Sequence, residues 1–168
     1  EVLSTSPATP DTVLVPAGDF MMGASSDDAR PDEFPHHRVF VDAFFMSKTE
    51  VTNRQFKRFV DDTNYVTTAE QPVDWDVLKQ QAPPGTPKLD DATLQPGSMV
   101  FIQPPAGTSP NDIAARWAWV NGAHWRQPEG PGSSLEKRWN HPVVHVSHED
   151  ASAFATWRGG RLPTEAQW

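Results

Sequence analysis

Apolar and polar positions alternate in short stretches at the start of the chain and turn helical only further on. Val13-Leu14-Val15 reads as a strand, Pro16-Ala17-Gly18 as a turn, and Phe20-Met21-Met22 before Gly23 as the second arm of a short hairpin. Residues 24–36 form a polar loop. His37-Arg38-Val39-Phe40-Val41 resumes extended structure, with Phe44-Phe45-Met46-Ser47 as its partner across Asp42-Ala43. Thr52 and Gln55 have the spacing of a capping box, in which each side chain satisfies the other's free backbone N–H. Phe56, Phe59 and Val60 follow at i, i+3 and i+4, so a helix is predicted over about Asn53 to Asp62, ending before Asn64.

Beyond residue 70 the pattern weakens. Asp74-Trp75-Asp76-Val77-Leu78 opens a short helix over 75–80 that Pro83-Pro84-Gly85 ends. Residues 83–112 read as a long ordered loop with an apolar strand, Met99-Val100-Phe101-Ile102, in its middle. Arg116-Trp117-Ala118-Trp119-Val120 is extended, 122–132 is rich in turns, and His141-Pro142-Val143-Val144-His145-Val146 reads as a buried strand. Ser147 and Asp150 again have N-capping spacing; Ala151, Phe154, Ala155 and Arg158 share a helical face that Gly159-Gly160 closes. Thr164 and Gln167 make a third capping pair, and the chain stops one turn later. One turn does not recover the cost of nucleating a helix, so the chain is expected to be a fragment of a longer protein.

Composition narrows the class. At 168 residues the chain suits one domain with an adequate core, and residues 1–11, rich in Ser, Thr and Pro, read as a flexible leader. It has no cysteine, which excludes a disulfide, a thiolate metal site and a cysteine nucleophile within this stretch. A formal net charge of −8 argues against nucleic acid as a partner, because phosphate binding needs a basic face. No apolar run approaches the roughly 18 residues of a membrane span. Seven Trp against one Tyr, with 17 Pro, predict an irregular, turn-rich backbone pinned by large aromatic rings. The first residue is Glu1 rather than Met, which fits either an exported or a cytoplasmic protein.

Several stretches taken in order are more specific. They are Val15-Pro16-Ala17-Gly18 with Met22-Gly23; Lys48-Thr49-Glu50-Val51-Thr52-Asn53 leading to Phe56 and Phe59-Val60; and Tyr65, Thr67 and Ala69-Glu70. Then come Trp125-Arg126-Gln127-Pro128-Glu129-Gly130-Pro131, His141 through Ser147 with Asp150-Ala151, and Arg161-Leu162-Pro163-Thr164-Glu165-Ala166-Gln167-Trp168. The set resembles the formylglycine-generating enzymes, or sulfatase-modifying factors, with residues 12–168 corresponding to the N-terminal portion of that domain. The resemblance implies an α+β fold of low regular secondary structure, related to C-type lectins. It implies oxidation of the cysteine in a sulfatase Cys-x-Pro-x-Arg segment to formylglycine, with molecular oxygen and a copper ion held by two cysteines. Calcium would support the fold. Those cysteines and most calcium ligands are expected downstream of Trp168, so this stretch alone is expected to be inactive. The superfamily also contains ergothioneine-pathway iron enzymes and non-catalytic binding domains, and the latter are the alternative reading. Two positions depart from the family pattern: Ala155 where many members have cysteine, and His148 where an aromatic residue is usual.

Candidate sites follow from both sources. No catalytic residue and no metal ligand is assigned within the chain. The resemblance puts Ala69 and Asp74 in the substrate-peptide groove, where the Asp74 carboxylate could pair with the substrate arginine; Trp117 is a further groove candidate. Asp74 reads equally well as the N-cap of the 75–80 helix. His141, His145 and His148 lie on extended chain that separates their rings, so His145 is expected as a hydrogen-bonded core residue and His148 as a solvent-facing helix start. Asp27, Asp28, Asp32 and Glu33 supply oxygens of the kind calcium takes, but without the order of a calcium loop they read as a solvated segment. The tryptophans of 117–125 are expected as core and loop anchors.

Overall fold

A computed structural model describes residues 11–109 and 111–168; the expected leader over 1–11 lies outside them except for Asp11. The fold is α+β, with three α-helices, six short strands and single 3-10 turns among the described residues. The chain divides into two units, residues 1–50 with 158–168, and residues 51–157.

In the first unit β1 (Thr12–Val15) pairs antiparallel with β4 (Phe44–Ser47), and β2 (Gly18–Met22) with β3 (His37–Val41). Neither predicted hairpin forms. A two-residue hairpin turn requires positive φ at one or both central residues. Pro16 is restricted to negative φ, and Ala17, Asp42 and Ala43 are not among the residues with positive φ. The chain therefore runs straight through both junctions. Thr12 faces Ser47, Val15 faces Phe44, Gly18 faces Val41 and Met22 faces His37, one continuous register for a single long ribbon. The ladder breaks only at Pro16-Ala17, where proline has no N–H to donate. The true turn is the 23–36 loop, closed at its base by the Ala24 N–H on the Glu33 carbonyl at 2.9 Å. Gly23 sits there at φ 87°, where a Cβ would lie 2.7 Å from the carbonyl oxygens of Glu33 and Pro35, so only glycine fits.

The second unit holds the aromatic core. α1 (Asn53–Thr63) begins with the predicted capping box: Gln55 N–H donates to Thr52 Oγ1 at 3.3 Å and Thr52 N–H to Gln55 Oε1 at 2.9 Å. Asn64 closes it in the left-handed conformation at φ 54°, one of the few a non-glycine residue tolerates there. Phe56, Phe59 and Val60 pack with Trp125, Leu135 and Phe154 of α3 (His148–Trp157). The Phe56 ring meets Trp125 edge-on at 5.3 Å and stacks with Phe154 at 5.9 Å. α2 (Trp75–Gln81) is capped by Asp74, and β5 (Gly97–Phe101) pairs with β6 (Trp117–Asn121). Part of the long loop is anchored: Val73 N–H donates to the Leu94 carbonyl at 2.9 Å, and Asn121 Nδ2 to the Ala92 carbonyl at 2.9 Å.

The expected buried strand at 141–146 is not one. It makes a single bridge, Pro142 opposite Thr52, and Val144 is exposed. Pro142 cannot donate to a ladder, and His145 turns left-handed at φ 57°. The start of the segment and the chain just before it serve α1 instead, with the Asn53 N–H on the His141 carbonyl at 2.9 Å and the Arg54 N–H on that of Trp139 at 3.0 Å.

Truncating Phe56 to alanine removes the ring that touches Trp125, Phe59 and Phe154 together. The expected cost is about 3–5 kcal/mol of unfolding free energy, measured by urea denaturation of the wild type and the variant.

Candidate functional site

A carboxylate with no exposed surface organises the second unit. Asp150, in the first turn of α3, is wholly buried, and four donor groups satisfy it. They are the Ser147 N–H at 2.8 Å, the Tyr65 hydroxyl at 3.1 Å, the Thr68 N–H at 3.1 Å and the Thr68 hydroxyl at 3.3 Å. Asp150 returns its own N–H to Ser147 Oγ at 3.1 Å, completing the predicted cap. Burial, and then the bond to Asp150, push the Tyr65 phenol above its ordinary pKa.

The segment so held carries the 3-10 turn Thr68–Glu70, with Ala69 buried at its centre. Glu70 fastens the other end. Its Oε2 accepts the Thr67 N–H at 3.1 Å and the Thr67 hydroxyl at 2.7 Å, and its Oε1 accepts Arg126 at 2.9 Å. The Arg126 guanidinium lies 4.2 Å from the Trp125 ring centre, a cation–π contact that joins the turn to the core. His124 completes the group: its Nδ1 accepts the Arg126 backbone N–H at 3.3 Å and stands 3.8 Å from Glu70 Oε1. Burial lowers its pKa, and Arg126 and His145 add to the effect against the attraction of Glu70.

The turn packs against β5. Met99 and Phe101 on β5 face Trp119 and Trp117 on β6, and all four project to one face of the ribbon, where they are exposed. Phe101 and Trp117 meet edge-to-face at 5.7 Å. Of the expected groove residues, then, Ala69 lies in the turn and Trp117 on the strand paired with the one it touches. Asp74 lies five residues after Ala69 and caps α2, its Oδ1 accepting the Asp76 N–H at 2.8 Å and the Val77 N–H at 3.4 Å. The carboxylate remains exposed, so capping and a second partner are compatible. No hydrogen bond joins Ala69, Asp74 and Trp117 to one another among the described residues.

The tryptophans divide: Trp125 is core, whereas Trp117 and Trp119 form the exposed face. His145 is half-buried with Nε2 2.8 Å from the Pro128 carbonyl, and His148 starts α3 exposed. Asp32 and Glu33 pair with Arg30. No group of three or more His, Cys, Asp or Glu side chains among the described residues could hold a metal ion. With no thiol in the chain either, these residues do not fit a thiolate copper centre. A recess of about 390 Å³ over Trp125, Leu135 and Trp139 has Lys57 and Arg126 at its walls, but both cations are already paired, with Asp61 and Glu70. The site is therefore a 3-10 turn braced from both ends, packed beside an exposed aromatic ribbon. Sequence inspection gave Asp150 only its local cap. Its bonds to Tyr65 and Thr68 span more than 80 residues and left no periodic signal.

The family described as sulfatase-modifying factor enzyme 1-like domain matches residues 1–168. The chain belongs to that family. It is 45% identical over 159 residues to a formylglycine-generating enzyme of Mycobacterium tuberculosis, covering 94% of this chain and 50% of that protein. It is 43% identical over 159 residues to the enzyme of that name from Thermomonospora curvata, covering 93% of this chain and 46% of that protein. A mouse protein named inactive C-alpha-formylglycine-generating enzyme 2 is 36% identical over 161 residues, covering 95% and 46%. The chain thus spans about half the length of the curated relatives it matches. No helix among the described residues is long and apolar enough to cross a membrane.

The lowered pKa of His124 carries a sign. The fold prefers the neutral ring, so its contribution to stability is present above the ordinary imidazole value of about 6.5 and is lost as pH falls below it. The ring is expected to titrate below that value by NMR. Urea midpoints should drop between about pH 7.5 and 5.5, with a shallower slope in His124→Gln.

Proposed function

We propose that the full-length protein oxidises the cysteine of a Cys-x-Pro-x-Arg segment in a sulfatase polypeptide to formylglycine. The residues seen here would form one wall of the peptide groove. The observation that carries this reading is the 45% identity, sustained over 94% of the chain, to a protein named for that activity. Ala69 on its braced turn, the exposed Asp74 carboxylate and the aromatic face containing Trp117 are the residues assigned to the wall. A carboxylate such as that of Asp74 suits the substrate arginine, because a guanidinium offers it two parallel N–H donors. The thiolates, the copper they would hold, and calcium belong to this reading as groups bound by residues outside these 168.

Relatives named inactive match the same span, so the scaffold alone does not entail turnover. The second reading is accordingly a binding domain that captures a polypeptide without changing it.

The deciding experiment incubates the full-length protein with copper, oxygen and a Cys-x-Pro-x-Arg peptide, and scores the aldehyde by mass spectrometry and hydrazide capture. Conversion is expected for the full-length protein and none for the 168-residue chain, which has no redox-active thiol. Binding without conversion by the full-length protein would establish the second reading. Asp74→Asn should raise KM by about tenfold for the arginine peptide, from loss of a charge-assisted pair, and leave a peptide with Gln in place of Arg unaffected.

A further inference from the structure

The 68–70 turn is too short to hold its own position. It is a single 3-10 turn, and its internal backbone bonds are those of Glu70 N–H to the Thr67 carbonyl and Gln71 N–H to that of Thr68. Arg126 on Glu70 fixes its end, and its start is fixed from 82 residues away, where Asp150 takes the Thr68 N–H on both oxygens, at 3.1 and 3.3 Å, and the Thr68 hydroxyl on one. The Thr68 and Ser147 hydroxyls add a contact of 2.9 Å between the same two segments. Ala69, next along the chain, carries no polar side chain and is buried, so the position of its backbone follows that of Thr68.

We infer that Asp150 is a positioning residue for the bound polypeptide, acting through the Thr68 N–H to set the wall that the 68–70 turn presents. This inference rests on the reading that the turn lines the peptide site. The helix cap needs only one oxygen of Asp150, the one on the Ser147 N–H. The other oxygen, turned to Tyr65 and Thr68, is what a simple cap would leave unused. The carboxylate therefore ties the start of α3 to the turn, and a displaced turn would weaken peptide binding without altering the chemistry that follows.

The test uses the full-length protein and the Cys-x-Pro-x-Arg peptide. Asp150→Asn keeps shape but turns an amide NH₂ towards N–H and O–H donors. It should raise KM by about tenfold with kcat within about twofold, since a bond to a charged acceptor is lost and nothing at the reacting atoms is touched. Amide exchange at Thr68 should accelerate in the same variant. Thr68→Val, which removes only the hydroxyl, should raise KM about threefold and decides the matter if Asp150→Asn does not fold. Val60→Ala destabilises the same unit without touching the turn and should leave KM unchanged. Unchanged KM in both Asp150→Asn and Thr68→Val overturns the inference, as does an equal rise in Val60→Ala. A wild type that neither binds nor converts the peptide overturns the functional reading, and this inference with it.

Discussion

A carboxylate removed from water is tolerable only when its acceptor positions are filled, because an unpaired buried charge costs several kcal/mol. Asp150 meets that demand with donors from two distant segments, Tyr65 and Thr68 on one side and Ser147 on the other. The rest of the second unit follows from it. Once Thr68 is held, Glu70 is carried to Arg126; Arg126 then lies over Trp125, and Trp125 packs on Phe56. A continuous line of polar and aromatic contacts thus runs from the start of α3 to the middle of α1.

This arrangement explains how so little regular structure makes a core. Two helices supply Phe56, Phe59 and Phe154, while Trp125 and Leu135 come from irregular chain. Such chain must satisfy its backbone locally, and it does so through turns: Gln127 with His124, Gly130 with Gln127, and Ser133 with Gly130. Gly130 sits at φ 95°, where a Cβ would fall 2.6 Å from Val120 Cγ1, so the close approach of this loop to β6 depends on the missing side chain.

As a member of the sulfatase-modifying-factor family, the chain brings a braced turn and an exposed aromatic ribbon but no thiol. A turn fixed by a buried carboxylate resists displacement, and surfaces that must place a peptide accurately gain from such rigidity. Relatives named as enzymes and relatives named as inactive both match this portion.

The caps were legible in the sequence, because a cap is a contact over three residues. Thr52 with Gln55 and Ser147 with Asp150 form as their spacing predicts, the Thr164 N–H reaches Gln167 Oε1, and Asp74 caps α2. The apolar face of α1 was equally plain, since a helical period repeats along the chain. Strand pairing was not, because the same alternation fits several partners. Only the φ values of Pro16-Ala17 and Asp42-Ala43 decided that two supposed hairpins are one ribbon. The His141–Val146 segment looked like a buried strand by composition, yet the α1 N-terminus claims the His141 carbonyl. Exposure of Trp117 and Trp119 against burial of Trp125 was likewise settled by packing. Short-range chemistry is written in neighbouring residues. The reach of Asp150 to Thr68, and hence the shape of the candidate site, exists only once the chain has folded.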